Sequence, residues 1–347
     1  MVMHQVNSTI GDLCMNSYER YMGMVNGEKV DCVPRVPILM HFAARYAGVT
    51  YGDFARDCET LVAANRKLAE DFGVDQLDIM SDPWRETVDF GGRIEYLDDA
   101  VPKCVRHPLE DSSDLTDLET PDPRTSERMG NAIRAIQLYK VFGFKQYSIT
   151  GWVEGPAAEA ADVRGVTNFL VDLASERGFA CDVMDRCVEN AIRFALAQLS
   201  EGADTIGIGD SIVSQLSPEL YEDCVFPREK KIIDAIHAAD GLVRLHICGD
   251  ISHLLPEIAL LNVDILDCDS MVDMAAAREA LGSQVVLTGN LDPVREVMDS
   301  NPEAIRAAVR EVYETVGNPY FVNAGCEIPA ATPHENLRAL CEPLPAQ

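Results

Sequence analysis

The chain has 347 residues, 47% of them hydrophobic and 25% charged, enough to bury a large core. Its 29 Lys and Arg stand against 57 Asp and Glu, a formal net charge of −28. An acid excess of this size argues against nucleic acid or an anionic membrane as the main partner and suits a soluble protein that handles small molecules or other proteins.

Residues 1–12 show no basic segment followed by an apolar one, so no signal peptide is expected. No apolar run approaches the roughly 20 residues that span a bilayer, and a cytoplasmic protein follows. An amphipathic helix is predicted over 17–26, ending in a turn through Gly27 and Asp31. Eight short β-branched or aliphatic runs then read as strands, at 36–42, 76–80, 147–153, 205–208, 242–247, 263–266, 284–287 and 320–323. Helical patterns lie between most of them, over 58–72, 166–176, 183–199, 218–238 and 302–315. Pro218 and Pro302 take first-turn positions, with Ser217 and Asn301 as caps. Residues 93–96 and 104–107 alternate as a small hairpin. Alternating strand and helix argues for a parallel sheet under covering helices, and eight strands in about 300 residues favour a (β/α)8 TIM barrel over an open sheet. The expected organisation is one domain over 1–347, with 1–35 as an N-terminal helical extension.

In such a barrel the C-terminal strand ends form the active-site face. Polar residues stand there at nearly every strand: His41, Asp82, Glu154, Asp210, His246, Cys248, Asp267, Asp269, Asn290, Asp292 and Cys326. For Asp210, Asp269 and Asp292 helix capping is an equal alternative. Of these residues, His41, Asp210 and Asn290, with Trp152, are expected to line the substrate pocket; Trp84 also stands near a strand end, and packing is expected of at least one of the two tryptophans. The Gly289–Pro293 turn reads as a tight connection. His246 and Cys248 share a strand face because side chains alternate with a period of two. Cys326, in Gly-Cys-Glu-Ile-Pro after the last strand, adds a second thiolate. Three N/S donors with an open fourth position are the pattern of a catalytic zinc. Glu154, Asp82 or Glu327 could fill that position at rest. The cysteine count is odd and the spacings irregular, so Cys14, Cys32, Cys58, Cys104, Cys181, Cys187, Cys224 and Cys341 read as small core residues of a reduced protein.

These residues also carry a resemblance. Ser217-Pro218-Glu219, Leu245-His246-Ile247-Cys248-Gly249, Gly155-Pro156, the Gly289–Pro293 turn and Gly325-Cys326-Glu327-Ile328-Pro329 resemble the uroporphyrinogen decarboxylase superfamily, over roughly residues 15–343. The resemblance implies the same (β/α)8 barrel. One branch, the true decarboxylases, carries an arginine-rich loop after the first strand and a histidine after the eighth. Here the loop is Met40-His41-Phe42-Ala43-Ala44-Arg45, with Arg45 as the lone counterpart arginine, and the histidine position is Cys326. A polycarboxylate needs cations close by. Asp82 matches the catalytic aspartate of that branch, which keeps a cofactor-free decarboxylase as the alternative. The second branch, the zinc-dependent corrinoid-linked methyltransferases of the methylcobamide:coenzyme M type, has His-x-Cys after the fifth strand and Cys after the eighth, and His246, Cys248 and Cys326 match it. That branch implies Zn2+, a corrinoid (methylcobalamin) brought by a separate corrinoid-binding protein, since this chain lacks an Asp-x-His-x-x-Gly motif, and self-association in many members. The small substrate would be a thiol or a methylated or methoxylated compound. Glu154 would serve as proton donor or transient metal ligand.

Overall fold

The computed structural model describes residues 15–118 and 120–347; the expectations placed on 1–12 and Cys14 lie outside them. Nine strands follow in chain order: β1 (Gln76–Asp78), β2 (Arg93–Leu97), β3 (Ala100–Arg106), β4 (Ser148–Glu154), β5 (Thr205–Gly209), β6 (Leu242–His246), β7 (Ile265–Asp267), β8 (Val286–Thr288) and β9 (Tyr320–Phe321). Seven of them form one curled parallel sheet in the order β1-β4-β5-β6-β7-β8-β9. Their residues are almost all buried, as expected when helices cover a parallel sheet. β2 and β3 pair antiparallel as a separate ribbon.

The expected strand at 36–42 is not one. Its second half opens the helix Met40–Ala47, and its first half runs beside the sheet without becoming a strand. Arg35 makes a single parallel bridge to Val322. Val36 N–H donates to the Val322 carbonyl, and Asp75 N–H donates to the Arg35 carbonyl. Pro34 and Pro37 explain the brevity, because each removes a ladder donor. Among the described residues the parallel sheet therefore has seven strands rather than the expected eight. No helix of the described residues is long and apolar enough to cross a membrane.

Helices appear where the pattern placed them, with longer or shorter ends. Cys58–Phe72 starts on an Asp57 cap and ends at Gly73, whose φ of 69° suits a residue without Cβ. Ser217 caps the short turn at Pro218, and Asn301 accepts from Glu303 and Ala304 to open Pro302–Val316. The expected helix over 218–238 breaks into Pro218–Leu220, a wide turn at Tyr221–Val225 and Phe226–His237, because Pro227 offers no N–H to the preceding turn.

A charge network ties the N-terminal helix Ser17–Val25 to the sheet. Arg20 bonds Asp31 at 2.6 Å and Asp75 at 2.5 Å, and Arg35 reaches Asp75 at 2.9 Å. Burial works to raise the Asp31 carboxyl, but the Arg20 hydrogen bond and charge outweigh it and hold the group down at about 2. A carboxyl of the unfolded chain titrates near about 3.9, so this ion pair adds stability that is complete above about pH 4 and lost as the pH falls toward about 2. The gap in urea midpoint between wild type and Asp31→Asn is expected to shrink across that window. A gap independent of pH would refute this assignment.

Candidate metal centre

The sheet's register builds the site. Along β6, Arg244 and His246 are two residues apart and share one face, and His246 lies opposite Asp267 of β7. Cys248 follows two residues later, where Gly249 turns the chain with φ 93°. Gly249 N–H donates to Asp269 Oδ2 at 2.9 Å, so Asp269 braces the Cys248 turn. Cys326 arrives after β9 on the other side. There Gly325 packs against the backbone of 269–270 so closely that a Cβ would stand 2.5 Å from Ser270 N. Glycine is required at that approach.

His246, Cys248 and Cys326 present their donor atoms within 4.8 Å of one another. Nε2 of His246 is 3.2 Å from Cys248 Sγ and 4.0 Å from Cys326 Sγ, and the two sulfurs are 3.6 Å apart. Zinc with bonds of about 2.3 Å to sulfur and about 2.0–2.1 Å to nitrogen separates tetrahedral donors by about 3.5–3.8 Å. The donor set therefore fits zinc in both chemistry and spacing. Behind it, His246 Nδ1 is 3.0 Å from Asp267 Oδ2, and Arg244 Nε holds the same carboxylate at 2.9 and 3.0 Å. Arg244 also donates to Gln76 Oε1 at 2.9 Å. A carboxylate on the far nitrogen directs the near one toward a metal. The hydrogen bond from Cys248 holds the Cys326 thiol below its ordinary range, against burial and with His246 assisting. Cys248 rises in turn, because it is the one that keeps the proton.

The donors open into a cavity of about 180 Å3. Its lining combines the apolar Ile38, Met40, Met80, Pro83 and Trp152 with the carboxyls of Asp82, Glu154, Asp210 and Glu327. The Trp152 indole rests on β5, whose glycines 207 and 209 leave a shelf for it. A Cβ on Gly207 would lie 2.1 Å from Trp152 Cε3. Gly207→Ala is expected to displace the indole and to cost about 1–3 kcal/mol. The check is tryptophan emission together with urea unfolding; unchanged emission would show that the shelf does not position Trp152.

The carboxyls differ sharply. Glu154 accepts from Trp152 Nε1 at 3.2 Å, and burial first, then the charges of Glu86 and Asp162, push its carboxyl well above the usual carboxylate range. Glu327 accepts from His41 N–H at 2.8 Å and is pushed up to about 7 by burial. Burial also lifts Asp210 to about 7, although it caps the helix Pro156–Arg164 through the N–H groups of Ala157 and Ala158. Asp82 goes the other way. Burial opposes its charge, but Arg128, at 2.6 Å, and Arg85 hold it below its usual value.

Three of the strand-end candidates lie elsewhere. His41 sits on the helix Met40–Ala47 with its ring toward Asp99, outside the cavity lining. Asn290 turns its amide to the carbonyls of Asp269 and Val272 and borders a separate cavity. Asp292 caps the turn that follows it. Trp84 donates to the Pro102 carbonyl beside the β2–β3 ribbon. Arg244 and Glu86 join the site without having stood out in the sequence. The period-two face shared with His246 was the available signal for Arg244, whereas Glu86 lies on the short helix Arg85–Asp89, which no periodicity announces.

Comparison with known proteins places the geometry in a lineage. The profile described as Uroporphyrinogen decarboxylase (URO-D) matches residues 16–344. A methylcobamide:CoM methyltransferase, MtbA, of Methanosarcina mazei is 29% identical over 244 residues, 70% of each chain. A uroporphyrinogen decarboxylase of Chloroflexus aurantiacus is 26% identical over 352 residues, covering 94% of this chain and 97% of that one. A solved methyltransferase from Methanosarcina mazei superposes with a TM-score of 0.86 at 22% identity, over 94% of this chain and 97% of that one.

Proposed function

The chain belongs to the uroporphyrinogen decarboxylase family, and within it we propose a zinc-dependent methyltransferase that moves a methyl group between a small thiol, methylated or methoxylated compound and the corrinoid of a partner protein. The observation that carries this reading is the convergence of His246, Cys248 and Cys326 within 4.8 Å at a cavity mouth. The partner is supported by the likeness to proteins named methylcobamide:CoM methyltransferases. We read the sheet as closed into a (β/α)8 barrel by residues 34–36, which hydrogen-bond to Val322 on one side and Asp75 on the other. The whole chain is then a single domain. Ten described cysteines are free thiols, which suits the cytoplasm.

When bound, zinc would act as a Lewis acid on the substrate atom that takes the fourth position. The chain's own residues do the rest. Asp267 and Arg244 fix the His246 ring, so that Nε2 faces the cavity. Trp152, Met40 and Met80 exclude water from the reacting side. Glu154, whose ionisation burial and the neighbouring acids oppose, is placed to give a proton to an oxygen that leaves. Asp82 is already committed to Arg128 and orders the wall rather than accepting a proton. A polycarboxylate meets no lysine or arginine among the residues lining this cavity, which disfavours the decarboxylase reading.

Protein isolated from zinc-supplemented cells is expected to hold about one zinc per chain and to methylate a thiol from methylcobalamin, followed by cobalamin absorbance. Metal well below stoichiometric after reconstitution, with turnover of uroporphyrinogen, would replace this reading with the decarboxylase.

A further inference from the structure

The charge of the cavity says what it admits. Its lining holds the carboxyls of Asp82, Glu154, Asp210 and Glu327 and no lysine or arginine. The guanidinium groups close by are already engaged. Arg128 is 2.6 Å from Asp82 and Arg244 is spent on Asp267, while Arg85 donates to Ser81 Oγ at 2.9 Å and does not line the cavity. Zinc on a neutral His246 and two thiolates contributes no net charge. An anion in this space would lose its hydration and gain no cation, an arrangement that proteins avoid. The remaining wall, with Trp152, Met40 and Met80, suits an apolar or cationic body.

We propose, on the strength of the methyltransferase reading, that the part of the substrate not bonded to the metal is uncharged or cationic, and that sulfonates, carboxylates and phosphates are excluded. The substrate class is a small neutral thiol or methyl ether, or a methylated ammonium compound.

The test uses matched pairs that differ by one anionic group. These are 2-mercaptoethanol against 2-mercaptoethanesulfonate, and 2-methoxyphenol against 4-hydroxy-3-methoxybenzoate. Binding is measured by calorimetry on the full chain at low salt, with and without zinc. The neutral member of each pair is expected to bind at least about tenfold more tightly, with tetramethylammonium competing against the neutral ether. The discrimination should weaken with added salt. An anionic member that binds as tightly as its neutral partner overturns the proposal, as does failure of every probe to saturate. The preference is read from binding, whereas the methyltransferase reading falls on metal content and turnover, so the two failures are separable.

Discussion

Cys326→Ala is expected to abolish methyl transfer and to strip the protein of zinc while leaving the fold intact. The residue is partly buried after β9 and makes its polar contacts mainly with Cys248 and His246, so little else depends on its sulfur. Two donors remain, both from a three-residue stretch. Losing a partner that only orients a ligand already costs about 10–100-fold in metal affinity, and losing a ligand itself should cost more. Cys248→Ala should behave alike. Zinc stoichiometry and thermal unfolding, measured on the same preparation, check the claim. A Cys326→Ala protein that keeps full zinc would mean that the metal sits elsewhere.

The second large effect is expected at Arg244. It is one of the largest fully buried side chains in the protein, 1% exposed, and faces Asp267, which is 2% exposed. Removing one partner of a buried pair leaves an uncompensated charge and costs about 3–5 kcal/mol. Arg244→Met is therefore expected to destabilise the chain by that amount in urea unfolding. It should also weaken zinc binding, because Asp267 then holds the His246 ring less firmly. Adding Asp267→Asn should restore part of the stability but not the zinc affinity, since the neutral amide is a poorer partner for Nδ1. Additive losses in the double variant would show that the two residues do not act as a pair.

These expectations rest on features of unequal legibility. His-x-Cys at the end of one apolar strand and Gly-Cys at the end of another are visible because strand side chains alternate and glycine marks the strand end. The parallel sheet was equally open to reading, since most of the runs alternate with a helix. What stayed hidden depended on contacts across the chain. Residues 36–40 are apolar throughout, and an apolar run does not reveal that Met40 begins a helix with no side-chain cap at Leu39. Asn290 looked like a pocket residue because it stands at a strand end, but the backbone carbonyls of 269 and 272 claim its amide. Asp82 matched a catalytic position, whereas its partner Arg128 comes from a helix 46 residues away.

The ligand spacing has a bearing on how metal and folding are linked. His246 and Cys248 remain neighbours in the unfolded chain, while Cys326 is 78 residues from Cys248. With eleven cysteines in all, the denatured polypeptide is itself a zinc scavenger. Ligand that also binds the unfolded state returns part of the stabilisation it brings to the native one. Raising free zinc should therefore lift the melting temperature only up to a plateau, beyond which added metal holds the open chain and slows its return.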